Sequence, residues 1–209
     1  MTMRMGAAAR PVPSLVVSGL LVILAALALW FAGRKIALYA NFDPVSYDDL
    51  WPRRFGFWPH MVGGTVAIFT GVVQLWLGAT GRTGALHRLL GRFYVGGVAV
   101  GAVGGFYLAA TVSGGFAYSA GLTLLALAWV VTTGMALYAI RHRAIEQHRE
   151  WMIRSYIVTF AFVTFRLIEH QLVAWNVAPP AELGTFMAYA SWAVPLLLAE
   201  PFIQMRKIR

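Results

Sequence analysis

The chain has 209 residues, of which 59% are hydrophobic and only 12% charged, with a mean hydropathy of +0.67. A soluble domain of this length does not carry so little charge, whereas a polytopic helical membrane protein does. Seventeen Lys and Arg against eight Asp and Glu give a net charge of +9, and the absence of cysteine excludes thiol catalysis, iron–sulfur clusters and disulfides.

A transmembrane helix needs roughly 17–25 mostly apolar residues. Six segments qualify: 14–33, 58–79, 92–112, 119–140, 152–175 and 184–203. The predicted fold is therefore all-α, a single membrane domain over 1–209 built as a polytopic bundle of six transmembrane helices. The first segment has the basic start and apolar run of a secretory signal. Its run is longer than the ~7–15 residues of a signal core, and Trp30 and Phe31 fit a cleavage region badly, so it is expected to be retained as a span.

Residues 34–57 form the one long connection, predicted to be extracytoplasmic. Asp43-Pro44 and Ser46 with Asp49 are pairs of helix-starting type, so short helical turns are expected there, lying on the membrane surface. Trp51, Trp58, Tyr118 and Trp175 fall near the ends of spans, as residues of an aromatic belt do.

Loop charges orient the bundle. With the N-terminus inside, the inner segments carry twelve basic residues: Arg4, Arg10, Arg82, Arg88, Arg92, Arg141, Arg143, Arg149, Arg154, Arg206, Lys207 and Arg209. The outer segments carry four, Arg34, Lys35, Arg53 and Arg54, and Arg166 lies within the membrane. Both termini are thus predicted to be cytoplasmic, in a multi-pass protein of the bacterial cytoplasmic (inner) membrane. Basic residues scattered over short loops suit contact with anionic lipid head groups and speak against nucleic acid as a partner.

Three spans carry patterned faces. On the second, His60, Gly63, Gly64, Ala67, Gly71 and Gln74 share one side; ahead of and along the third, His87, Gly91, Tyr94, Val98, Gly101 and Gly105 do the same. The fifth is the most informative, because it holds Arg166, and a charge within a span costs at least ~2.5–3.5 kcal/mol unless compensated. At ~100° per residue, His148 and Arg166 lie in phase, and Met152, Ser155, Thr159, Phe162 and His170 fall within about 40° of the same line. That polar stripe should face the bundle interior.

Two readings of these faces stand open. One is tight helix packing through small residues, with the histidines as interfacial hydrogen-bonders. The other is b-type haem, for which imidazole is a normal axial ligand. The outer ligand candidates are His60 and His170; the inner ones are His87 and His148, with His142 as a substitute, and Arg166 would hold a propionate. Arg166 has a plainer alternative in an ion pair with Glu169 or Glu200 or a bond to a backbone carbonyl. A metal at His142, Glu146 and His148 is disfavoured by Arg141, Arg143 and Arg149 around it. Glu200, beside Pro201, is either an interfacial acid or a proton carrier.

The chain resembles the prokaryotic membrane-protein family known as domain of unknown function 2306. The resemblance runs from about His60 to Leu167 and rests on His60 with Gly63-Gly64 and Gln74; His87-Arg88-Leu89-Leu90-Gly91-Arg92-Phe93-Tyr94; Gly114-Gly115; Trp129 and Thr132-Thr133; and His148-Arg149-Glu150-Trp151-Met152-Ile153-Arg154-Ser155 through Thr164-Phe165-Arg166-Leu167. It implies a multi-span membrane protein without assigning an activity. A looser resemblance, in histidine depths and glycine faces alone, is to transmembrane two-haem b-type cytochromes with a four-helix core. The chain departs from those in having no histidine in the outer half of span four, and in inner candidates that lie outside the apolar runs.

The function expected from these features is membrane electron transfer with haem b, using a quinol or a redox subunit as partner. The alternatives are a proton-coupled transporter built on Arg166, Glu169 and Glu200, and an accessory or structural subunit of a larger membrane complex. No Gly-x-Ser-x-Gly elbow or phosphate-binding loop appears, which speaks against soluble-type hydrolase chemistry.

Overall fold

The computed structural model describes residues 15–205. The terminal residues Arg4, Arg10, Arg206, Lys207 and Arg209, which contribute to the predicted orientation, lie outside the described residues. Among those described, there are seven α-helices: α1 (Leu15–Tyr39), α2 (Pro44–Tyr47), α3 (Arg54–Ala79), α4 (Ala85–Thr111), α5 (Gly115–Arg141), α6 (Ile145–Ala174) and α7 (Pro180–Met205). All but α2 are long and apolar enough to cross a membrane. The end carrying Arg82, Arg88, Arg141 and Arg143 is termed the inner end, after the charge rule.

Several helices run past their apolar segments. α4 and α6 begin at Ala85 and Ile145, so His87 and His148 are on helices rather than in the loops ahead of them. The reason is local. The stretches 85–91 and 145–151 contain no proline and are rich in Leu, Arg, Glu and Gln, which prolong a helix into the head-group region at little cost. α1 likewise continues to Tyr39, which moves Arg34 and Lys35 from the expected outer loop onto its last turns.

The outer connection folds as a cap. Asp43 starts α2: the Val45 amide donates to Oδ1 at 3.2 Å and the Ser46 amide to Oδ2 at 3.3 Å, with Pro44 preset in the first turn. Ser46 turns its hydroxyl back to Asp43 at 3.0 Å, and Asp49 holds Arg53, so the following turn, Asp48–Leu50, is a 3₁₀ turn without a side-chain cap. Tyr47 anchors this cap. It is fully buried, packs edge-on against Tyr39, and donates its hydroxyl to the Tyr39 carbonyl at 2.9 Å.

Helices α3, α4, α5 and α6 form a ring in which each packs on the next and α6 closes against α3. α4 and α6 are not direct neighbours; they face each other across the diagonal. α7 packs on α5 and α6, while α1 rests mainly on α3 and is the least buried of the spans. The α3–α4 seam is backbone against backbone. A Cβ at Gly63 would collide with the Gly97 and Gly101 main chain, and one at Gly104 with the Gly56 carbonyl. For this part of the glycine stripe, close packing is the reason for the small residues.

Candidate functional site

The bundle centre is a hydrogen-bonded cluster from three helices. The Tyr94 hydroxyl lies 2.7 Å from Ser155 Oγ and 2.8 Å from Thr159 Oγ1. Trp129 Nε1–H donates to Thr159 Oγ1 at 2.7 Å, Thr159 donates to the Ser155 carbonyl at 2.9 Å, and Thr133 Oγ1 lies 2.7 Å from Ser155 Oγ. All five side chains are buried. A cluster so closed on itself rigidifies a core and leaves no polar group against hydrocarbon.

The Tyr94–Ser155 contact also sets the level of everything above and below it. α4 and α6 run the same way, each joined to α5 by a short turn. Seven residues are two helical turns, about 10.5 Å, and return to nearly the same face. Seven residues before Tyr94 is His87, and seven before Ser155 is His148; seven after are Gly101 and Phe162. The bundle therefore carries three stacked levels.

The inner level holds His87 and His148 within electrostatic reach of each other. His148 Nδ1–H donates to the Ala136 carbonyl at 2.9 Å, which leaves Nε2 as the remaining ring nitrogen. His87 Nδ1 is buried without a hydrogen-bond partner, and the His87 carbonyl accepts from the Gln74 side-chain amide.

The outer level holds His60. Its Nδ1–H donates to the Gly101 carbonyl at 2.9 Å, and its ring meets Phe162 edge-on at 4.7 Å and Trp129 at 6.4 Å. His60, Trp129 and Phe162 belong to the wall of a cavity of about 400 Å³ between α1 and the outer half of the ring. Gly64 and Gly105 line it too; a Cβ at Gly64 would meet open space, whereas one at Gly105 would press on the His60 ring at 3.2 Å. Lys35, Arg53 and Arg166 also border it. Arg53 is paired with Asp49, and Arg166 with Glu169 at 2.9 Å. Lys35 lies over the rings of Phe31 and Tyr39 and forms no ion pair among the described residues.

The expected site residues are thus sorted. His87 and His148 share a level, and Tyr94 sits two turns above them. His60 and His170 do not share one: His170 is exposed, absent from the cavity wall, and eight residues, or about 12 Å, beyond Phe162. His142 is exposed and tied to the Tyr138 carbonyl of its own helix at 2.9 Å. No cluster of three or more His, Asp or Glu that could hold a metal ion occurs among the described residues. The transporter trio separates as well. Glu200 is held by Arg154 through bonds of 2.7 and 3.0 Å, twelve residues or about 18 Å along α6 from Arg166.

For a haem, the inner donors fit. His148, fixed by a carbonyl at one nitrogen, and His87, with an orphaned buried nitrogen at the same level, would be the residues to hold it, and the group would supply one-electron chemistry there. Of the outer candidates, His60 borders the cavity and the exposed His170 does not.

Lys35 and Arg53 were missed as cavity residues because their charge placed them in a loop. The signal was there in Phe31, Lys35 and Tyr39, spaced four apart on one helical face. Trp129 and Thr133 are marked in the sequence by the family resemblance alone, since a tryptophan and a threonine in an apolar span carry no visible pattern.

Six spanning helices around a buried polar stack define a polytopic integral membrane bundle. Residues 57–203 match the family model described as Predicted membrane protein (DUF2306). The chain belongs to that family, and the match extends the resemblance seen over 60–167 to take in α7. No curated protein and no solved structure matches, so the likeness to two-haem cytochromes gains no support from that side.

Proposed function

We propose that this chain is a redox protein of the bacterial cytoplasmic membrane, with both termini in the cytoplasm, that holds haem b between His87 and His148 and passes electrons to or from membrane-bound partners. The observation that carries this reading is the inner histidine level. Two imidazoles sit at the same depth on diagonal helices; one is oriented by a carbonyl, and the other keeps a buried nitrogen that no protein group satisfies. A buried polar atom without a partner is costly in a protein core, and a ligand that takes its lone pair removes the cost.

A bound haem supplies one-electron chemistry. The chain's own groups set its surroundings. The Ala136 carbonyl fixes the His148 tautomer and ring orientation. Gln74 pins the backbone of His87. The Tyr94 cluster lies two turns above, and the Arg154–Glu200 pair ties α6 to α7 near the inner end.

The test is an absorption spectrum of the full chain, purified from cells with ample haem. A Soret band is expected, lost in His87→Ala and in His148→Ala and kept in His60→Ala. A wild-type protein with no Soret band would overturn the reading.

A further inference from the structure

We infer that the outer cavity binds the head ring of a quinone or quinol lipid. His60 borders the cavity and spends its Nδ1–H on the Gly101 carbonyl, so in the neutral imidazole Nε2 is the ring atom left to accept a hydrogen bond. Arg166 lies four residues beyond Phe162, about 6 Å further toward the outer end, with Lys35 in its electrostatic reach. The cavity therefore has an acceptor at one level and donors at the next. Beside His60 the wall is apolar, with Trp129 and Phe162 in edge contact at 5.2 Å.

This two-ended pattern discriminates between ligands. An anionic single-headed lipid would engage the cations and lay its hydrocarbon against the His60 nitrogen, an unfavourable contact. A planar ring with oxygens on opposite edges meets both ends, donating to His60 as a quinol and accepting from Lys35 or Arg166 as either form. Its apolar tail has an exit, because α1 touches α6 only lightly and opens to lipid there. Binding stands independently of the haem; that the ligand exchanges electrons rests on the redox reading.

The test uses the full chain in detergent, with a decyl-substituted benzoquinone and its reduced form as probes and oleate as the contrasting lipid, followed by equilibrium dialysis. Saturable binding of the reduced probe is expected, with weaker binding of the oxidised form, whose oxygens have no hydrogen to donate to His60, and with little competition from oleate. His60→Phe should weaken binding about tenfold or more. Gly64→Leu should do the same, because a Cβ there meets nothing within 4 Å and the side chain extends into the cavity. Lys35→Gln, on the loosely held α1, should weaken it several-fold and serves if the core variants fail to fold. Oleate displacing the probe, or binding that survives all three substitutions, would overturn the assignment. A protein that binds quinone but lacks a Soret band would sink the haem reading alone; the reverse result would sink this one alone.

Discussion

The inner and outer histidine levels are built with the same device and put to different use. In each, an imidazole donates Nδ1–H to a carbonyl of a neighbouring helix, His148 to Ala136 and His60 to Gly101. At the inner level a second histidine stands opposite, and both lie within the residues that match the family. At the outer level the opposing groups are aromatic and the space stays open. Part of that cavity wall comes from α1 and the cap, through Lys35, Tyr39, Asp49 and Arg53, all of which lie outside the matched residues 57–203. An orienting bond to a carbonyl is therefore only half a site. What stands opposite decides whether the free nitrogen serves a metal or an organic ligand.

The largest effect expected from breaking this contrast is at the inner level. His148→Ala removes one donor and frees the Ala136 carbonyl, and should abolish the Soret band while leaving quinone binding within about twofold. His60→Phe should do the opposite. Absorption spectra and dialysis on the same two preparations read both arms, and a single variant that lost both signals would show that the levels are one site.

Tyr94→Phe comes next, because Tyr94 joins the levels. Its hydroxyl contacts both Ser155 and Thr159, so its loss should destabilise the bundle by about 1–3 kcal/mol, read as a lower thermal midpoint in detergent. Arg154→Ala tests the inner half alone. Glu200 loses its bidentate partner at a site where Arg154 is only 12% exposed, and a loss of about 1.5–3 kcal/mol is expected with quinone affinity unchanged.

The fold was legible in the sequence because the membrane imposes a crude and strong rule: every span must be apolar for about 20 residues. The polar stack was half legible. Helical phase put His148, Ser155, Thr159 and Phe162 of α6 on one line, and the structure brings that line to the bundle interior. Phase says nothing of depth on a neighbouring helix, however, which depends on turn lengths and on the α3–α4 seam. The expected pairing of His60 with His170 rests on phase and span ends alone, whereas in the structure the His60 ring meets Phe162. Arg166 takes the plainer of its expected roles, the ion pair with Glu169. It continues the stripe, but the stripe ends where the cavity begins, and its side chain is 54% exposed with Glu169 as partner.

That placement makes Arg166→Gln the smallest and most discriminating change. A charge deep in a closed bundle would be costly to lose, because Glu169 would be left unpaired in hydrocarbon. Arg166 instead sits at an open cavity, one turn from Glu169, with its guanidinium over the Phe165 ring at 5.0 Å. Exposed pairs of this kind contribute about 0–1 kcal/mol. The thermal midpoint should therefore move little, while the quinone dissociation constant rises several-fold as one of the donors weakens. A large loss of stability with unchanged binding would mean that Arg166 is part of the packing after all, and that Lys35 alone supplies the upper contact.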